Sequence, residues 1–163
     1  MQESSSSERT VIVLFRSLFA LSMLSVLATL FELASLRHWE GTQFIPWLLA
    51  GAVLVGLGLT AAGTARTLVR AICAVSVVGS LFGVWEHVQS NFESGPLDRR
   101  LGPTWDSMST IEKGWKAFTQ TVGPSPALAP MALALSGVLL ALASWCRPDV
   151  VNLFSRRAAA GGR

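Results

Sequence analysis

Four apolar stretches, each close to the length of a membrane crossing, constrain this chain more than anything else in it. They cover residues 11–36, 44–62, 68–87 and 127–145. About 20 residues at 1.5 Å rise cross a hydrocarbon core about 30 Å thick. Inside that core, only helices and closed barrels satisfy the backbone. The apolar residues form unbroken runs and do not alternate, so helices are expected. The charged fraction is 14%, against about 25% in soluble domains. Four such helices and one loop use up the 163 residues, which predicts a single membrane domain. The expected fold is all-α: four transmembrane helices in an up-down bundle, plus one interfacial amphipathic helix in a long external loop.

Residues 1–10 are polar and are expected to be a disordered cytoplasmic N-terminus. The transmembrane domain should cover 11–146, with its external loop at 88–126, and residues 147–163 should form a basic cytoplasmic tail. The first apolar run is too long for the h-region of a signal peptide and shows no obvious cleavage site, so it reads as an uncleaved anchor. Ser22, Ser25, Thr29 and Glu32 share one side of this helix. A polar stripe of that kind should face other helices and not lipid. Pro46 sits in the first turn of the second helix, where no intrahelical N–H bond is lost. Ala52 with Gly56, and Gly79 with Gly83, are small-residue pairs that let helix backbones approach closely. The two cysteines, Cys73 and Cys146, have no zinc spacing and should be reduced thiols on the cytoplasmic side.

In the loop, Trp105, Met108, Ile111, Trp115, Phe118 and Val122 recur every three or four residues. That period predicts an amphipathic helix from Thr110. Ser109 and Glu112 are placed for a capping box, and Gly123-Pro124 for a stop. Such a helix can lie in the membrane interface, dock on its own bundle or bind a partner.

Eight Lys or Arg residues fall on one side of the threaded bundle and five on the other, where six acids offset them. The positive-inside rule puts both termini in the cytoplasm. Trp39, Trp47, Trp85, Trp105 and Trp115 would then form an outer aromatic belt, with Trp145 on the inner side. The net charge of +3 is explained by this bias, and no basic run suits nucleic acid.

The threading brings ionisable groups to one level at the outer mouth. Glu32, His38, His87 and Glu93 are candidate ligands for a divalent metal, with Glu86 and Asn91 as supporting groups. Imidazole nitrogens suit zinc, copper, iron or nickel, and carboxylates suit harder ions. The same residues could instead hydrogen-bond within the protein, or stand as solvated charge at the interface. There is no HExxH, no glycine-rich phosphate loop and no GxSxG. A triad of Ser90, His87 and Asp98 has no local support. No chain of ionisable groups crosses the bilayer centre, which argues against a pump or proton channel.

Glu32, the His38-Trp39-Glu40 turn, Pro46, the His87–Asn91–Glu93 segment and Pro126-Ala127-Leu128-Ala129-Pro130 together resemble a family of uncharacterised bacterial four-helix integral membrane proteins. The resemblance implies an inner-membrane location and supplies no activity. The function expected from sequence is therefore non-enzymatic: an accessory or oligomer-forming protein in the lipid bilayer, associated with itself or with another membrane protein. The alternative is a metal- or cofactor-binding protein using the outer mouth.

Overall fold

In the computed structural model, the chain is described over residues 2–148. Among these it is all-helical, with no strand. The helices are α1 (Gln2–Ser35), α2 (Ile45–Ala62), α3 (Arg66–Ser94), α4 (Gly102–Trp105), α5 (Thr110–Phe118) and α6 (Met131–Trp145). Three spans are long and apolar enough to cross a membrane: Ser6–Ser35, Gly41–Ala62 and Arg66–Leu97. The fourth apolar helix, Met131–Trp145, is shorter.

Three boundaries differ from the sequence expectation. The polar N-terminal segment expected to be disordered is helical from Gln2, because a nucleated helix extends at the gain of one hydrogen bond per residue. α3 does not stop at residue 87 but continues to Ser94. Its extra turns carry Val88, Asn91 and Phe92, which pack under the segment that leads to α6. α6 starts at Met131 and not at 127. Pro126 and Pro130 hold the preceding residues in turns, with Ala129 N–H donating to Pro126 O and Met131 N–H to Leu128 O. The basic tail expected at 147–163 lies outside the described residues, apart from Arg147 and Pro148.

Helix α6 packs against α1, α2 and α3, and α2 packs against α1 and α3. Val26, Ala50, Val53, Leu57, Val69, Cys73, Leu133 and Leu140 form the core between them. A polar seam joins α1 to α6. Ser22 Oγ donates to Ser136 O (2.8 Å), Ser25 Oγ to Ala132 O (3.1 Å), and Ser136 Oγ to Ser25 Oγ (2.9 Å). These bonds satisfy hydroxyls that hydrocarbon could not. The stripe Ser22–Ser25–Thr29 thus turns towards α6. Both cysteines are free thiols; Cys73 is buried in α3 and Cys146 is half-buried just past α6.

Small residues set the helix spacings. A Cβ on Gly137 would lie 3.1 Å from Ser76 Cβ and 3.3 Å from Cys73 O, so α6 rests on the backbone of α3 there. A Cβ on Gly56 would reach Leu140 Cδ2 at 2.7 Å. Gly79 receives Leu49 of α2, and Gly83 receives the ring of Pro130. The Gly79/Gly83 pair is therefore used inside the chain, against two different neighbours.

Two helices end on left-handed residues, Arg37 and Gly63. Arg37 has φ 52°, Arg37 N–H donates to Ala34 O (3.2 Å), and His38 N–H donates to Leu33 O (3.0 Å). This is a Schellman closure of α1. Gly63, at φ 77°, closes α2 in the same way, with Thr64 N–H on Leu59 O (3.1 Å). Arg147 comes back over this second end, where its Nη1 donates to Thr60 O (2.7 Å) and its guanidinium covers Gly63. A cation at a helix C-terminus meets the negative end of the dipole.

The contact at Gly137 gives a direct test. Gly137→Leu should destabilise the bundle by about 1–3 kcal/mol, because backbone on α3 cannot yield to the added side chain. Gly51→Ala, where nothing lies within 4 Å of the new Cβ, should be neutral or slightly stabilising. Unfolding in mixed micelles followed by circular dichroism checks both, and equal effects would contradict the packing described.

Candidate functional site

The segment between α3 and α6 is a folded cap and not a simple connection. Trp105 ends α4 and is only 3% exposed. It packs edge-on to Phe92 of α3 at 5.6 Å and fills the space above Gly95, where a Cβ would collide with its ring. Ala117 and Val122 join it in a small separate core, with Val88, Leu101 and Met108 around them. This corrects the sequence reading of Trp105 and Met108 as residues of the interfacial helix, and of Trp105 as part of an outer belt. The helix is interrupted because Pro103 starts one short turn and Ser109, in extended conformation, starts another. Ser109 Oγ accepts from Glu112 N–H (3.2 Å), as its spacing predicted. Asp98 fixes the way into α4: its carboxylate accepts from the N–H groups of Arg100 (2.9 Å) and Leu101 (3.0 Å). Those two bonds hold its pKa below the ordinary aspartate value.

Helix α5 presents its small face, not its apolar one, to the rest of the protein. Ala117 is fully buried, whereas Ile111, Trp115 and Phe118 are 86%, 64% and 39% exposed. The last three lie within an arc of about 60° on the helix, so their exposure is one continuous stripe.

Asn91 holds this cap to α3. It is fully buried. Its Nδ2 donates to Ala117 O (3.0 Å) and Ser125 O (2.6 Å), and its Oδ1 accepts from Ser125 N–H (2.9 Å). Gly123, at φ 74°, passes so close that any side chain there would collide with Asn91. One turn earlier on the same face, His87 Nδ1 lies 2.8 Å from Pro126 O. A carbonyl can only accept, so Nδ1 carries the proton and, in the neutral ring, Nε2 carries the lone pair.

Beneath the loop segment 124–126 is a cavity of about 530 Å³ between α1, α2, α3 and the start of α6. Glu32, His38, Glu86 and His87 all line it, with Gln43, Ser90 and Ser125. Its better-buried wall is apolar, from Leu33, Leu49, Ala129 and Leu133, while Phe82 lines a more exposed part. The turn after α1 is held rigid at this mouth. Trp47 Nε1 donates to His38 O (2.7 Å), and Trp39 stacks on Trp47 at 5.0 Å. His38 Nδ1 is buried there without a hydrogen-bond partner.

The four candidates expected at the outer mouth are thus divided. Glu32, His38 and His87 share the cavity with Glu86, while Glu93 lies outside it and accepts from Gln89 Nε2 (2.7 Å). Asn91 supports the loop and does not line the cavity. Among the described residues, no group of three or more His, Cys, Asp or Glu is arranged to hold a metal ion. Glu93 thus stands apart from the other three, exposed on α3 and bonded to Gln89. Sequence reasoning missed Gln43, which follows the left-handed turn at Arg37, and Ser125, which Asn91 holds; no motif announces either placement. Compared with protein-family models, with curated proteins and with solved structures, the chain matches none.

Asn91→Ala should cost about 3 kcal/mol, since it strips partners from two carbonyls and one N–H in a buried site. Hydrogen exchange should accelerate selectively at residues 117–126, with α2 and the α1–α6 seam unaffected. Uniform acceleration across all helices would show that Asn91 does not act on the cap alone.

Proposed function

We propose that this chain is a multi-pass protein of the bacterial inner membrane, a four-helix up-down bundle with both termini in the cytoplasm, which acts by association and not by catalysis. Helix α6 alone is about 22 Å long, so the turns over 126–130 complete its crossing at the loop side. The positive-inside bias supports the orientation. The resemblance noted in the sequence supports the location.

The observation that carries the reading is the exposed stripe Ile111–Trp115–Phe118 on α5. A helix that turns two aromatic rings and an isoleucine away from its own protein needs another apolar surface to cover them. The small-residue face of α3 is not available for this, because Leu49 and Pro130 occupy Gly79 and Gly83. The stripe is therefore the association surface, for a second copy or for a membrane-protein partner, with the lipid interface at its rim. The polar flank of α5 keeps to itself: Lys116 pairs with Glu112 at 3.6 Å and Lys113 lies over the Trp105 ring at 5.8 Å.

A photo-crosslinking residue in place of Trp115 should yield a discrete protein adduct in native membranes. The double substitution Trp115→Ser, Phe118→Ser should abolish the corresponding complex in mild detergent while leaving the unfolding temperature unchanged. Crosslinks to lipid only, with an intact complex in the double variant, would sink the reading. For the topology, a reporter fused after Arg163 should be active on the cytoplasmic side, and external activity would reverse the orientation.

A further inference from the structure

We propose that the cavity at the loop end of the bundle is a binding site for an apolar organic cation. Its volume of about 530 Å³ falls within the usual range for small-molecule sites, about 300–1,000 Å³. The lining has two chemistries. The better-buried wall is hydrocarbon, from Leu33, Leu49 and Leu133, and the more exposed rim carries Phe82, Glu32 and Glu86. No Lys or Arg lines it. Among the described residues, neither carboxylate has a hydrogen-bond or ion-pair partner. Two unpaired carboxylates beside a low-dielectric wall create a field that favours positive charge. The Phe82 ring adds a face suited to a cation.

The same lining sorts the alternatives. A metal ion would need three or more grouped ligands, which the described residues do not provide. A phospholipid headgroup would bring its phosphate against Glu32 and Glu86 with no Lys or Arg to receive it. An amine, quaternary ammonium or phosphonium with a hydrophobic body meets both chemistries at once. The His87 lone pair left by the Pro126 bond offers a neutral acceptor for an ammonium N–H. The site is independent of the α5 stripe, which lies on the outer side of the cap.

The test uses the full-length protein in neutral detergent, titrated with tetraphenylphosphonium and, in parallel, with tetraphenylborate. The two ions share shape and hydrophobicity and differ in sign. Saturable binding of the phosphonium and none of the borate is expected. Glu32→Gln and Glu86→Gln should each weaken phosphonium binding about tenfold, the scale of one ion pair in partly screened surroundings. Glu93→Gln, outside the cavity, should leave it unchanged. Equal binding of both ions, no saturable phosphonium binding, or phosphonium binding that survives the Glu32→Gln, Glu86→Gln double substitution overturns the proposal. The comparison of the two ions on unsubstituted protein decides the matter even if a variant fails to fold.

Discussion

The Asn91 amide is bonded to backbone that lies 26 and 34 residues further along the chain, and the rest of the mouth depends on that arrangement. A buried primary amide without partners costs several kcal/mol in an apolar medium. With both Nδ2 protons and Oδ1 engaged, the same group becomes a rigid three-point clamp. It fixes the end of α5 through Ala117 and the approach to α6 through Ser125. Pro126 then falls within reach of His87, one turn away on α3. The cap, the entry of the last helix and one wall of the cavity are consequences of a single side chain and its neighbour.

The clamp also explains why α5 sits the wrong way round for an ordinary amphipathic helix. For the Ala117 carbonyl to reach Asn91, the α5 backbone must come close to α3. Only a small side chain permits that, and Ala117 is fully buried. Once Ala117 faces inward, a rotation of about 100° per residue carries Ile111, Trp115 and Phe118 outward. The exposed stripe is thus forced by the polar contact beneath it. A cap held by hydrophobic burial alone would have turned those three residues inward.

What the sequence made legible divides along the same line. Apolar runs announced the long helices, and the serine–threonine stripe of α1 announced which of its faces turns to other helices, though not that the neighbour is α6, because both signals depend on local composition. The grouping of Glu32, His38, Glu86 and His87 was also readable, since all four follow from helix ends placed at one depth. The turn that holds His38 was not readable, because it rests on Arg37 in a left-handed conformation that favours glycine. Nor was the inward face of α5. A periodicity names an apolar stripe but not what covers it, and Trp105 shares the period of Ile111 and Trp115 while belonging to a different packing unit. Asn91 and Gly123, which decide the inward face of α5, are each visible in the sequence, but nothing there says that they meet.

The cavity inherits its character from this construction. Membrane helices that pack through small residues usually leave no room between them, and α3 does close on α2 at Gly79 and on Pro130 at Gly83. Space remains above those contacts because α6 begins only at Met131, so the layer beside Glu32 and Glu86 is bounded by turns and not by a fourth full helix. Turns place proline rings and backbone there, which neither fill the volume nor neutralise the carboxylates. Arg37, the basic residue that follows α1, could have paired with Glu32, but its left-handed backbone belongs to the closure that carries the chain on to His38. Among the described residues neither carboxylate at the rim of this apolar hollow meets a counter-charge, which the proposed cation would supply.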